Sequence, residues 1–514
     1  MNTVSFLTIP AGIVPEQEAM VFEGQRFTYA EVQTRVRRLA GALARLGVGR
    51  GTRVAALHTN SHRYVEAYYA TAMLGGLFVP VNYRAKRPEL EYMLGAAAAR
   101  VLLVGQRYLE HVDAMRGALR DLKTVIGFDT SVGEGAYEDL VAGAAEHEEE
   151  ADVDDGDTSV LMYTSGTTQL PKGVMLSYGD FTAYVTANVE LADGTPRGAA
   201  LLCAPLYHIA GTTNMMTTLW TGRRLVIMSQ FEPCGWLDLA EREHATHAFV
   251  VPTMLKQVLD QPDLDRRDLS SLEVLSYGGA QMPFPVIRRA IERLPRTVGF
   301  VNAFGQTETT STLTVLGPED HRLEGDAEEI EKRTRRLTSI GRPLPDVEAR
   351  IVDDDGGVQP AGQVGEIHVR TPRVMKGYAG AADSPLTPDG WLPTRDMGWI
   401  DEDGYLYIAG RKDDMIIRGG ENIAPAEIES VLLSHPAVEE AAVIGVPDVE
   451  WGQQVAAFVA LRPGARATAD ELGEFCRQRL ASFKKPGSFH FLAELPKNPM
   501  GKILRRELRT QVDS

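Results

Sequence analysis

Tyr163-Thr164-Ser165-Gly166-Thr167-Thr168-Gln169-Leu170-Pro171-Lys172-Gly173 decides the reading of this chain. The stretch is dense in small and hydroxyl residues and closes on a Pro-Lys-Gly turn. Backbone N–H groups, hydroxyls and one ammonium on such a loop suit a phosphate chain. It is not a Walker A loop, because Lys172 is followed by Gly173 rather than Ser or Thr and the glycine spacing differs. The apolar Val160-Leu161-Met162-Tyr163 leads into it as a strand. The run from Glu146 to Asp157, mostly Asp and Glu, reads as a solvated linker before that strand.

Strand and helix alternate on both sides of the loop. Thr28 and Glu31 form a capping-box pattern, and Val32, Val36, Leu39, Leu43 and Leu46 follow at helical spacing up to Gly47. Short apolar strands are predicted at 53–57, 77–81 and 100–104, with helices at 65–74 and 89–97. Beyond the loop, strands are predicted at 199–203, 225–228, 248–251 and 274–276. This alternation implies a mostly parallel sheet covered on both faces, an α/β fold. Near Gly341 the pattern changes to alternating strands, 347–352 and 364–369, around turn residues. That reads as a local antiparallel, barrel-like unit. A second boundary falls near Gly410. Residues 411–514, with predicted helices at 425–433 and 470–480 and strands at 440–446, 455–461 and 489–492, read as a small α+β domain. Residues 1–410 read as the large domain, with 341–410 as its barrel-like part.

With 514 residues, 44% apolar and 24% charged, the chain is long enough for more than one buried core. A net charge of −17 argues against a nucleic-acid or anionic-membrane surface. Cys203, Cys234 and Cys476 lie far apart and form neither a metal nor a disulfide pattern, which points to a reducing, cytoplasmic setting. The N-terminus lacks the basic and apolar regions of a signal peptide. The uncharged stretch 67–83 is broken by Gly75-Gly76 and Pro80, so it reads as a helix, a turn and a strand rather than a membrane span.

Six further stretches carry chemistry in a fixed order: Pro205–Gly211 with His208, Ser276–Ala280, Asn302–Glu308, Trp391–Gly398, Gly410–Ile423 and Leu495–Leu504. Taken singly, each has a plain alternative. A lone histidine is more often structural, paired glycines make tight turns, a charge run is usually solvated, and a lysine such as Lys502 usually faces water. Together with the loop they resemble, in order and over nearly the whole chain, the adenylate-forming superfamily and its AMP-forming acyl-CoA synthetase branch. Three positions depart from the usual pattern: Gln169 and Arg395 stand where glycine is common, and Phe304 stands where tyrosine is common.

The resemblance implies ATP, Mg²⁺ and coenzyme A as cofactors and a role for each matched residue. Thr164, Ser165, Gly166, Thr167, Thr168 and Lys172 would cradle the phosphates. Glu308, with Thr164, would hold Mg²⁺, and Thr307 would bond a phosphate. Gly279, Ala280, Asn302, Ala303, Phe304 and Gly305 would enclose the adenine. Asp396 would accept from both ribose hydroxyls, and Arg411 would contact ribose or phosphate. His208, Ile209, Gly278, Gly279 and Ala303 would border the acyl pocket. Lys502 would neutralise charge between the attacking carboxylate and the α-phosphate. Asp413 would be the hinge of the small domain. Gly419, Gly420, Arg84, Trp451, Phe483 and Lys485 would contact CoA.

The activity implied is activation of a carboxylic acid to an acyl-adenylate and its transfer to CoA. The small residues from His208 to Thr213 and Ala303 leave room for an apolar acid, a medium- or long-chain fatty acid first and an aromatic or alicyclic acid second. A peptide-synthetase adenylation domain is disfavoured, since Glu232 and Asp238 stand where an Asp for the substrate amine is expected. A luciferase-like oxygenase and a non-catalytic nucleotide-binding scaffold are the other readings. The expected partners are the small-molecule acid, ATP and CoA, with no nucleic acid and no membrane span; a homodimer is left open.

Overall fold

The computed structural model describes residues 1–130, 136–164, 170–419, 421–497 and 503–512. Ser165, Gly166, Thr167, Thr168, Gln169, Gly420 and Lys502 lie outside the described residues.

Two sheets organise the large N-terminal domain. The first has seven strands in the order Gly377–Tyr378, Lys172–Ser177, Thr158–Thr164, Leu77–Pro80, Arg53–Leu57, Val101–Val104 and Thr124–Gly127. The last five run parallel. The second has nine strands, six of them parallel at its centre, running from Gly299–Gln306 through Val274–Gly278, His247–Val250, Ala199–Leu202 and Arg224–Ile227 to Glu18–Phe22.

Successive residues of these strands enter different cores. Val54 and Ala56 pack with Leu225 and Ile227 in a cluster shared by both sheets. Their neighbours Ala55 and Leu57 face one outer helical layer, and Val226 and Met228 face the other. Strands buried on both faces must be apolar throughout, which is why they read as short continuous runs. Helices Ser5–Ile13, Tyr29–Arg45, His62–Met73 and Ile209–Trp220 contribute to the shared core. Thr28 caps Tyr29–Arg45 with the expected reciprocal Glu31 bond, and Gly47 at φ 81° ends it. The strand Glu18–Phe22 pairs with Arg224–Ile227, so the N-terminus is stitched into the second sheet, a long-range pairing the local pattern did not reveal.

The region after Gly341 is a four-stranded antiparallel sheet: Glu348–Val352, Gly365–Arg370, Leu392–Ile400 and Leu406–Arg411. It is an open sheet rather than a barrel among the described residues, because the first and last strands do not pair with each other. The smaller C-terminal domain holds a three-stranded sheet, Val438–Asp448, Gly452–Leu461 and Ser488–Leu492, with separate cores on its two faces. Among the described residues no helix is long and apolar enough to cross a membrane.

Candidate active site

The decisive loop does not open a helix, as a P-loop does. It joins two antiparallel strands, Thr158–Thr164 and Lys172–Ser177, with Thr164 directly opposite Lys172. The second of these strands was not foreseen; its alternation is masked by the hydroxyl and glycine residues around it. The ladder places Thr164 and Lys172 at the C-terminal end of a parallel strand, where ligand sites form in open α/β sheets.

Three side chains meet beside this hairpin. Lys172 Nζ lies 5.2 Å from the centre of the Tyr378 ring. The Tyr378 hydroxyl donates to Glu308 Oε1 at 2.9 Å. Tyr378 belongs to the two-residue strand that pairs with Val174 and Met175, so it rides on the same hairpin. Burial, reinforced by the Glu308 carboxylate, pushes the phenol well above its ordinary range and keeps it a donor. Glu308 sits in the 3₁₀ turn Thr307–Thr309 at the end of the second sheet, and its carbonyl accepts from Met375 N–H at 2.8 Å. The two sheets therefore touch through Glu308, Tyr378 and Lys172. Tyr378 escaped the sequence reading; it lies in Lys376-Gly377-Tyr378, which has no spacing signal of its own.

The turn after Glu308 is strained. Thr310 and Ser311 both have positive φ, 49° and 81°. Buried Arg373 braces it, donating to Thr309 O at 2.9 Å while its own carbonyl accepts from Thr310 Oγ1 at 2.9 Å. Gly305 is forced by this fold, since a Cβ there would lie 1.8 Å from Ser311 O. Its role is thus close backbone approach.

A buried carboxylate follows. Asp396, 4% exposed, accepts from Gln306 Nε2 at 2.8 Å and from Arg411 Nε at 2.8 Å. Arg411 stands opposite Asp396 in the antiparallel ladder, so the pairing is set by register. Gln306 also donates to Thr394 O at 3.0 Å.

The strand end Val274–Gly278 supplies another wall. A Cβ on Gly278 would lie 2.1 Å from Ala303 O on the neighbouring strand, and Gly279 adopts φ 78°. Ala303 stands opposite Gly278, and Ala280 follows the turn. The Asn302 amide donates to Ser339 O at 3.2 Å, which leaves its carbonyl oxygen to accept. Phe304 packs half-buried against the cluster of Leu313 and Ile340.

His208 caps the helix Ile209–Trp220, its Nδ1 accepting from Ala210 N–H at 3.3 Å, so the ring proton is assigned to Nε2. Burial lowers its pKa to about 4. A Cβ on Gly211 would lie 2.2 Å from Pro205 O, which seats this helix tightly. Along an otherwise buried helix, Ala210, Asn214 and Thr217 form a partly exposed stripe at helical spacing. Asn214 Oδ1 is buried without a hydrogen-bond partner. Next to it, Thr213 Oγ1 donates to Ile209 O at 2.8 Å and lies 3.1 Å from Ser311 Oγ.

On the small domain, Gly419 (φ 59°) donates its N–H to Trp451 O at 2.9 Å, and a Cβ there would strike the Trp451 ring at 2.9 Å. Arg418 lies 5.6 Å from the Trp451 ring centre and donates to Phe483 O at 2.7 Å. Trp451 and Phe483 are exposed. Gly419, Trp451 and Phe483 thus gather on one face, with Lys485 just past the turn Ser482–Lys484. Arg84 stands on the other domain, 5.6 Å from the Tyr83 ring centre. Of the residues flanking Lys502, Lys497 bridges Ile503 and Leu504 N–H donates to Pro496 O at 2.8 Å.

Among the described residues no cluster of three His, Cys, Asp or Glu groups could hold a metal alone. A single positioned carboxylate, Glu308, fits Mg²⁺, which takes one or two carboxylates and completes its shell with water and phosphate oxygens.

The family pattern described as AMP-binding enzyme matches residues 11–379, and that of the AMP-binding enzyme C-terminal domain matches residues 427–502. A feruloyl-CoA synthase from Amycolatopsis sp. is 37% identical over 502 residues, covering 97% of this chain and 96% of that protein. The fatty acid–[acyl-carrier-protein] ligase ScoC of Streptomyces coeruleorubidus is 34% identical over 96% of this chain and 93% of its own length. The solved structure of o-succinylbenzoate CoA synthetase from Bacillus subtilis, in complex with the acyl-adenylate intermediate, superposes with a TM-score of 0.83 at 32% identity, covering 98% of both chains.

Proposed function

The chain belongs to the AMP-binding enzyme family of acid–thiol ligases, which use ATP, Mg²⁺ and CoA, and from this premise we propose that it joins a carboxylic acid to coenzyme A through an acyl-adenylate. In the first half-reaction a carboxylate oxygen attacks the α-phosphorus, and the bond to the bridging oxygen breaks as pyrophosphate leaves. In the second, the CoA thiol attacks the acyl carbon, and AMP departs with the electron pair of the C–O bond. The observation that carries this reading is the meeting of Lys172, Tyr378 and Glu308 beside the buried Asp396–Arg411 pair.

In this scheme Lys172 and the loop before it hold the phosphate chain, and Glu308, aimed by Tyr378, faces it. Mg²⁺, when bound, supplies charge neutralisation of the phosphates. Gln306 and Arg411 fix both oxygens of Asp396 for the ribose. His208, held neutral, stands beside the acid without adding charge. Lys502 completes the adenylation site. The small domain, residues 411–514, turns about Asp413 to exchange Lys502 for the face of Gly419, Gly420, Trp451 and Phe483, where CoA enters. Arg84 and Lys485 contact its nucleotide.

The acid is monocarboxylic with an apolar ring or chain. Aromatic and fatty acids stand equally, because the relatives include a feruloyl-CoA synthase and a fatty-acid ligase. This replaces the preference for fatty acids drawn from pocket-residue size alone. A cytoplasmic location is proposed with it. The test is mass spectrometry of products from ATP, Mg²⁺, CoA and a pooled panel of fatty, aromatic and alicyclic acids. An acyl-CoA with matching AMP supports the proposal and identifies the acid. Acyl-adenylate with no thioester transfers the reading to a carrier-protein acceptor. ATP binding with no AMP from any acid refutes catalysis.

A further inference from the structure

The turn that leads from the large to the small domain is held by charges whose partners change sides within three residues. Lys412–Asp414 forms a single 3₁₀ turn. Lys412 Nζ lies 3.0 Å from Glu366 and 3.3 Å from Asp354, both in or beside the four-stranded sheet. Asp413 takes the fork of Arg395, with Nη2 at 2.5 Å and Nε at 3.3 Å. Asp414 faces the other way: Arg509 lies 3.0 Å from it and Arg505 3.7 Å, both on the last described helix, Arg505–Val512. The large domain therefore holds 412 and 413, and the small domain holds 414.

Arg395 is the unusual member of this set. It stands where the resembling sequences commonly have glycine, and it has φ 63°, a left-handed conformation that glycine adopts freely and arginine does not. Its N–H donates to Glu366 Oε1 at 3.1 Å, and the other oxygen of that carboxylate takes Lys412. One carboxylate thus fixes both the Arg395 backbone and the start of the turn. A strained backbone held from several sides points to a function for the side chain it presents.

We infer that Arg395 is a positioning residue for the domain rotation. With Glu366 it fastens Lys412 and Asp413 to the large domain and confines the pivot to the link between Asp413 and Asp414. The inference rests on the two-step reading above, in which the small domain turns between half-reactions. Arg395→Gly keeps the backbone conformation and leaves Lys412 on Glu366 but frees Asp413, so the pivot widens to take in Asp413 and the CoA-facing orientation is reached less often. The pair is exposed, 56% and 31% at the two side chains, so the effect is modest and screened by salt.

The test compares wild type, Arg395→Gly, Asp413→Asn and the double variant by rapid quench, with adenylation and thioester formation followed separately at low and high salt. Arg395→Gly is expected to slow thioester formation about two- to fivefold while ATP–pyrophosphate exchange stays within about twofold. The double variant should be no slower than the slower single one. High salt should slow the wild-type thioester step by a larger factor than that of Arg395→Gly. Equal thioester rates for wild type and Arg395→Gly, or additive losses in the double variant, would overturn the inference. Pulsed electron-spin distances between labels on the two domains give a second reading, in which Arg395→Gly should broaden the distribution; equal widths also overturn it. If wild type makes neither adenylate nor thioester, the two-step reading fails, and the distance measurement still tests the anchor.

Discussion

Tyr378→Phe isolates one hydrogen bond at the centre of the site. The phenylalanine ring stays beneath Lys172, 5.2 Å from Nζ, and only the 2.9 Å bond to Glu308 is lost. A hydrogen bond to a charged group contributes about 1.5–3 kcal/mol. Both side chains are partly exposed, so the lower value applies, about 1.5 kcal/mol or about tenfold in rate. Tyr378→Ala also removes the cation–ring contact, worth about 0.5–1 kcal/mol at such a site, for a total loss on the order of 30- to 70-fold. The assay is ATP–pyrophosphate exchange against Mg²⁺ concentration. Because Tyr378 aims Glu308, the Phe variant should need more Mg²⁺ for half-maximal rate, and the loss should shrink as Mg²⁺ rises. Its melting temperature should fall by no more than about 2 °C. An unchanged Mg²⁺ dependence in Tyr378→Phe, or equal losses for Phe and Ala, refutes the placement of Glu308 at the metal.

Gly278→Ala should destabilise the fold by at least about 1–3 kcal/mol, read from the denaturant midpoint, because its Cβ meets strand backbone 2.1 Å away and not a side chain that can turn. Asp396→Asn should weaken AMP binding about tenfold or more by calorimetry, since a carboxamide cannot accept at both oxygens from Arg411, Gln306 and ribose; unchanged affinity would remove Asp396 from the ribose. Burial holds His208, His247 and His321 at about 4, and the neutral form of His321 is fixed by Nδ1–H to Gly317 O at 2.7 Å and by the Tyr277 hydroxyl on Nε2 at 2.8 Å. The unfolded chain takes up these protons near pH 6.5 and the folded chain only near 4. Stability is therefore complete above about pH 6.5 and is lost toward pH 4, by up to about 1.4 kcal/mol per pH unit for each histidine. Asp180, raised to about 6 by burial, works in the opposite sense below that pH and offsets about one of the three. Denaturant midpoints that stay level from pH 7 to 4.5 would contradict this.

The elements that were legible in the sequence are those fixed by local chemistry. The cap at Thr28 and Glu31, the short apolar strands and the turn glycines each announce themselves within a few residues. What escaped depends on distance along the chain. Glu18–Phe22 joins a strand two hundred residues away in sequence, and nothing in its own five residues names that partner. Tyr378 matters only because the strand Gly377–Tyr378 pairs with Val174 and Met175 and the second sheet delivers Glu308 to it. The site residues were read from motifs, and the structure gives several of them causes the motifs do not contain. Gly305 and Gly278 answer to backbone approach, Arg411 answers to register, and Arg395 answers to the Asp413 carboxylate.

The tight glycine contacts divide the site into a wall that cannot drift and one that can. At Gly278, Gly305 and Gly211 every added carbon meets a carbonyl, so these positions are closed to mutation whatever acid is used. The stripe Ala210, Asn214 and Thr217 is partly exposed, and Asn214 carries a buried oxygen with no hydrogen-bond partner. If the start of this helix borders the acid, as proposed for His208 and Ile209, a lineage that changes its diet of acids is expected to record the change on that one helix face. A library for new substrates is best spent there.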